Sequence, residues 1–334
     1  LYPGRGYLEA LGAGLEPEEG DICIRGNFAT LDKNGNVLDR RAGRDETGLE
    51  HLAEMLDGME IDGVEFRVKK SSGHRVVIIL KGEKLSDEVL PNDTMRTGVP
   101  LQQVKPKNEG AKFTASVLNK FVYRVNKILS KEPVNRERRY PANTILIRSI
   151  GRRITVPGLR ERFGLKGCCV AGIAVAKGVA RFLGMDVIEV EGATGLPDTN
   201  LEGKTNAVIE AMKKYDFVWL HINGTDTYSH SRLPEKKKEF IEEIDSQVGR
   251  ILKESDLKET VFIITCDHRS ASSPSYRGYE HLPDPVPILV SGDRIESDGM
   301  KKFDEKNCES GSLRIKGEGT LPLVLKMTRH QQTG

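Results

Sequence analysis

From Gly172 onward the chain alternates between short β-branched or aromatic runs and longer helical patterns, and that rhythm limits the folds open to it. Gly172 to Leu183 is small and apolar and reads as a buried helix. Asp186 to Val190 reads as a strand, Thr205 to Lys214 as a helix and Phe217 to Ile222 as a strand. Pro234 to Lys253 reads as a helix, with further strands at Thr260 to Thr265 and Pro287 to Val290. Strands separated by helices form βαβ units around a largely parallel sheet flanked by helices. Ligands of such sheets bind beyond the carboxyl ends of the strands. The positions to inspect are therefore those after Ile222, after Thr265 and before Pro285.

Each of these positions carries metal-type donors. Asp226-Thr-Tyr-Ser-His230 follows the first strand, Asp267-His268 follows the second, and His281 precedes Asp284-Pro-Val-Pro287. Taken alone, an Asp-His pair at a strand end is ordinarily a cap or loop hydrogen bond, and Asp226 with His230 four residues on is ordinarily a local ion pair. Their joint placement at three strand ends favours metal binding. Carboxylate oxygen with neutral imidazole suits Zn, Mn, Fe or Co, and no clustered thiolates point to a structural zinc site. Five such ligands exceed one tetrahedral ion. Two ions roughly 3.5–4 Å apart can clamp the attacking and leaving oxygens of a phosphoryl transfer. His221 alternates with strand residues and reads as packing.

The stretch before Gly172 has a different character. Asp21 to Thr30, Val37-Leu38, Val64 to Val68, Arg75 to Leu80 and Thr144 to Arg148 read as strands, with an Asn34-Gly35 turn between the first two. Glu46 to Asp57 and Gly110 to Lys131 read as amphipathic helices. Residues 20–150 thus read as a compact α+β unit, with residues 1–19 and 151–334 on either side of it. This unit is rich in arginine. Arg40, Arg41 and Arg44 fall in one short segment after a turn, beside Asp39, and Arg25, Arg75 and Arg148 accompany them. Guanidinium groups grip phosphate and carboxylate in pairs of hydrogen bonds. Asp39 beside them is open to a simple pairing with an arginine.

With 334 residues and a formal net charge of +2, the chain makes no global electrostatic case for nucleic acid or an acidic membrane. No apolar run approaches the roughly 20 residues needed to span a bilayer. The five cysteines are odd in number and form no Cys-x-x-Cys pair. They read as reduced thiols of a cytoplasmic protein.

Several blocks, in order, resemble the archaeal-type cofactor-independent phosphoglycerate mutases of the alkaline phosphatase superfamily. They are Gly4-Arg-Gly-Tyr-Leu-Glu-Ala10, Arg25-Gly-Asn-Phe-Ala-Thr30, Asp39-Arg-Arg-Ala-Gly-Arg44, Gly192-Ala-Thr-Gly195 with Asp198-Thr-Asn200, Asp216-Phe-Val-Trp-Leu-His221 and the three donor patches. The resemblance implies an alkaline-phosphatase-like α/β fold with an inserted α+β domain that closes over the substrate and excludes water. It implies interconversion of 3-phosphoglycerate and 2-phosphoglycerate with two divalent ions, manganese foremost and Zn, Co or Mg as alternatives. Asp226, His230 and His281 would hold one ion; Asp267 and His268 would help hold the other. Arg40, Arg41, Arg44, Asp39 and His74 would bind substrate. It also implies a phosphoserine intermediate, with the serine nucleophile and one aspartate ligand expected upstream of Leu1, so that the chain beginning at Leu1 is expected to be catalytically incomplete. Ser149, Ser229 and Ser270 are read as loop hydroxyls. The donor pattern itself leaves open a phosphatase or kinase-like relative, and a non-catalytic binding module.

Overall fold

The computed structural model describes residues 2–278, 281–293 and 295–329; Leu1, Tyr279, Glu280, Arg294 and the residues from His330 onward lie outside it. The chain gathers into two compact units. One takes in Leu1–Gly195 and Ala211–His221, the other Leu196–Glu210 and Ile222–Gly334.

In the first unit an antiparallel sheet runs in the order Val37–Asp39, Ile22–Leu31, Arg75–Lys81, Val64–Lys70, Met59–Ile61, and Thr144–Arg152 also pairs with Ile22–Leu31. Ile22–Leu31 alternates only partly in sequence because both its faces are covered. Ile22 and Ile24 join one core with Val76, Ile78 and Leu80. Cys23 joins a second core with Val77, Ile79, Tyr7 and Ala10. Successive side chains of a strand point to opposite faces, so a strand buried on both reads as a continuous apolar run. The Lys112–Leu129 helix covers the first face through Leu118, Phe121 and Val125. Phe66 and Phe121 stack there at 4.3 Å between ring centroids. The Arg5–Gly12 helix covers the other face.

That helix also packs tightly on the Ala174–Phe182 helix. A Cβ on Gly178 would come to 1.8 Å from the Leu8 carbonyl oxygen, so the two backbones touch where no side chain fits. Gly167–Val170 is the middle strand of a parallel sheet, flanked by Asp186–Ile188 and Phe217–Leu220. Its four residues, Gly-Cys-Cys-Val, are too few to show a period, and sequence reading passes over them as an apolar stretch.

In the second unit the Pro234–Lys253 helix starts and stops where the sequence places it, with proline in its first turn. Phe262–Thr265 pairs with Ile288–Ser291 antiparallel, Thr265 opposite Ile288. The segment between them carries only the short Arg269–Ser270 and His281–Leu282 pair and no crossover helix, so the returning strand runs the other way. Parallel pairing among the described strands is thus confined to the three-stranded sheet of the first unit. Among the described residues no helix is long and apolar enough to cross a membrane.

Candidate functional site

The strand Phe217–Leu220 closes the last stretch of the first unit and is followed in sequence by a short helix of the second, Gly224–His230. Asp226 and His230 are four apart on it and therefore share one face. Gly224 opens the helix where the Phe240 ring presses within 2.5 Å of any Cβ, which seats it against the Pro234–Lys253 helix.

His281 completes a group of three. His230 Nε2 and His281 Nε2 lie 3.1 Å apart. His230 Nε2 is 3.4 Å from Asp226 Oδ2, and His281 Nε2 is 3.4 Å from Asp226 Oδ1. Ligand atoms about 2.0–2.1 Å from a tetrahedral ion stand roughly 3.3 Å from one another. The observed separations have that scale. Asp226 Oδ1 is also buried without a hydrogen-bond partner, an arrangement that burial makes costly unless another charge satisfies the oxygen. Two imidazole nitrogens and a carboxylate oxygen therefore fit a first-row divalent ion in composition and in spacing.

Asp267 and His268 stand beside this group and outside it. The His268 ring stacks on that of His281 with centroids 3.8 Å apart. His268 Nε2 is 3.5 Å from Asp267 Oδ2, and the Asp267 side chain is 82% exposed. The segment after them is fastened to the Asp226 side by groups that sequence reading missed. Lys237 Nζ donates to the Ser270 carbonyl at 3.1 Å, Arg232 to the Ala271 carbonyl at 2.9 Å, and Ser270 Oγ to Ser229 Oγ at 3.0 Å. Ser229 in turn donates to the Thr225 carbonyl. These serines are engaged in local hydrogen bonds, but they are not loop hydroxyls: Ser229 is buried in the Gly224–His230 helix, Ser270 lies in the short Arg269–Ser270 strand, and Ser149, read the same way, lies in the Thr144–Arg152 strand.

The arginines assemble in the first unit. His74 and Arg75 enter the sheet opposite Asn27 and Phe28. Burial, and then the guanidinium charges of Arg75, Arg41, Arg25 and Arg44, pull His74 down to about 3. It therefore stands neutral among cations. Burial, then Arg75 and Arg5, lowers Arg25 to about 9. Glu9, buried in the Arg5–Gly12 helix, is the carboxylate ion-paired to both Arg5 and Arg25, at 3.3 Å from each. Arg75 and Arg41 are lowered as well, by burial first. A half-buried cluster of like charges raises the local potential for anions.

The three arginines of the 40–44 segment divide between two tasks. Arg40 is engaged: its Nε and Nη2 donate to the two oxygens of Asp93 at 2.8 and 2.7 Å. Arg148 pairs with the same carboxylate at 3.1 Å. Asp39 is a turn-former, its Oδ1 accepting the backbone N–H groups of Arg41 and Gly43 at 2.7 and 2.9 Å. Arg41 and Arg44 are the members of this segment whose charges act on His74. Asp93 carries no signal in sequence, because it lies 53 residues from its partner Arg40. His221 packs edge-on against Trp219, as its strand alternation indicates.

The α/β architecture is that of alkaline-phosphatase-like enzymes, and comparison with known proteins narrows it further. The 2,3-bisphosphoglycerate-independent phosphoglycerate mutase family profile matches residues 1–135. A mutase of that name from Methanococcus aeolicus is 42% identical over 334 residues, which is 98% of this chain and 81% of the relative. Phosphoglycerate mutase 1 of Methanocaldococcus jannaschii is 42% identical over 343 residues, covering 100% and 82%. Among solved structures, a cofactor-independent phosphoglycerate mutase from Thermoplasma acidophilum matches with a TM-score of 0.65 at 34% identity over 98% of this chain and 82% of that one. The PH0037 protein of Pyrococcus horikoshii matches with a TM-score of 0.81 at 30% identity over 100% and 80%. The chain belongs to the 2,3-bisphosphoglycerate-independent phosphoglycerate mutase family.

Proposed function

We propose that this protein interconverts 3-phosphoglycerate and 2-phosphoglycerate without a bisphosphoglycerate cofactor, as a cytoplasmic enzyme of glycolysis and gluconeogenesis. The observation that carries the chemical part of this reading is the Asp226–His230–His281 group, with its donor separations of 3.1–3.4 Å. These three residues would hold one divalent ion, and Asp267 and His268 would contribute to a second, with manganese the favoured metal. Bound there, such ions neutralise the charge that develops on phosphoryl oxygens.

The protein's own groups do the rest. Arg41 and Arg44, with Arg75 and Arg25 behind them, match the phosphate and carboxylate of a phosphoglycerate by pairwise hydrogen bonding. His74, neutral at physiological pH, offers a ring nitrogen to the same anion without adding charge. Arg40 and Asp39 support from outside: one is locked to Asp93, the other shapes the turn. Lys237 and Arg232 hold the 270–271 backbone, and with it the Asp267-His268 pair, against the Gly224–His230 helix.

An enolase-coupled assay on the natural full-length protein tests the reading, with 3-phosphoglycerate, manganese and no bisphosphoglycerate. Turnover that disappears on chelation and returns with metal, and that His281→Ala abolishes, is the expected result. Full activity in His281→Ala removes His281 from the metal site; metal-independent turnover removes the metal assignment altogether.

A further inference from the structure

The arginine segment is built in an unusual way. Ala42, Gly43 and Arg44 are three consecutive residues with positive φ, at 46°, 69° and 58°. Glycine alone takes that region without strain, and non-glycine residues there mark a conformation imposed by the surroundings. Gly43 cannot be exchanged freely, since a Cβ on it would meet the Tyr140 ring at 2.8 Å.

What imposes the conformation lies beneath the loop. The Arg138 side chain is only 2% exposed. Its guanidinium donates to four backbone carbonyls: Ala42 at 3.0 Å, Asp45 at 2.7 Å, Thr47, and Tyr140 at 3.4 Å. Three of these belong to residues 42–47. Its nearest carboxylate, Asp45, is a loose partner at 3.6 Å. Burying a cation against carbonyls is costly, and a loop that merely joins a strand to a helix does not need it. Arg44 lies within the segment that Arg138 holds, and Arg41 directly precedes it.

We propose that Arg138 is a positioning residue for substrate binding: by fastening the 42–47 backbone from below, it fixes Arg41 and Arg44 where they meet the anionic groups of the substrate. This rests on the reading that Arg41 and Arg44 contact phosphoglycerate. Arg138 itself touches no substrate.

Steady-state kinetics on the full-length, manganese-loaded protein carrying Arg138→Gln or Arg138→Lys, each alone and in an Arg41→Ala/Arg44→Ala background, with thermal melting on every variant, form the test. Removing uniform binding raises KM and leaves kcat nearly unchanged. Arg138→Gln is expected to raise KM for 3-phosphoglycerate roughly tenfold. Arg138→Lys, which keeps the charge and reaches fewer carbonyls, should fall between it and the unaltered protein and provides a folded variant if the first is unstable. The rise should largely vanish in the Arg41→Ala/Arg44→Ala background, because the changes act through the same contacts. A lowered melting temperature with KM unchanged makes Arg138 a purely structural residue and overturns the proposal. An equal rise in both backgrounds overturns it too, since Arg138 then acts independently of Arg41 and Arg44. If Arg41→Ala and Arg44→Ala by themselves leave KM unchanged, the substrate reading fails first and the proposal with it.

Discussion

His74 is a neutral imidazole held among guanidinium groups, and that gives the folded protein a defined acid sensitivity. Its folded value of about 3 lies below the ordinary 6.5. Protonation therefore favours the unfolded chain, and the stability involved is present above pH 6.5 and lost as pH falls toward 3. Between pH 7 and pH 5 the loss should be on the order of 2 kcal/mol. Chemical denaturation at the two pH values should show it, and His74→Asn should flatten the difference; an unchanged slope in that variant would place the acid sensitivity elsewhere. Arg40 makes a separate prediction. Asp93 is 2% exposed and bound bidentately by Arg40. Removing one member of a buried pair typically costs about 3–5 kcal/mol, and Arg148 remains to compensate in part. Arg40→Ala should thus cost about 2–4 kcal/mol of stability while raising KM less than Arg41→Ala does. A large KM effect with no loss of stability would return Arg40 to direct substrate contact.

At the level of elements, close helix packing fixes where the arginine-bearing sheet sits on its neighbours. The Arg5–Gly12 helix carries Glu9 to Arg25 and rests on Gly178 of the Ala174–Phe182 helix. Gly178→Val should force the two backbones apart and cost about 1–3 kcal/mol, read as a lower denaturation midpoint; an unaltered midpoint would mean that the helices can slide. Much of this layer was legible in the sequence. The Pro234–Lys253 helix announced itself by an N-terminal proline and an apolar stripe, and the Arg75–Lys81 strand by its β-branched run. The donors Asp226, His230 and His281 were legible because the strand-end rule selects positions. What stayed hidden was of two kinds. Gly167–Val170 is too short to show a period. Asp93 and Arg138 act across 53 and more than 90 residues, so no local spacing betrays them. The arginine cluster was visible as composition, but the division between Arg40, bound to Asp93, and Arg41 or Arg44, whose charges act on His74, depends on folded geometry.

For the whole molecule, the family assignment and the proposed sites combine into one reading: arginines of the first unit for the anionic groups of the substrate, and the Asp226–His230–His281 donors of the second for a divalent metal. A phosphatase of the same superfamily would need the same donors, so the outcome of the reaction, transfer or hydrolysis, is what separates the two. Phosphorus NMR on the full-length, manganese-loaded protein separates these outcomes directly, with 3-phosphoglycerate as the sole phosphorylated compound added. The account predicts that the 3-phosphoglycerate resonance declines to an equilibrium with 2-phosphoglycerate while free phosphate stays at baseline. Steady accumulation of inorganic phosphate, or an unchanged spectrum, would contradict it.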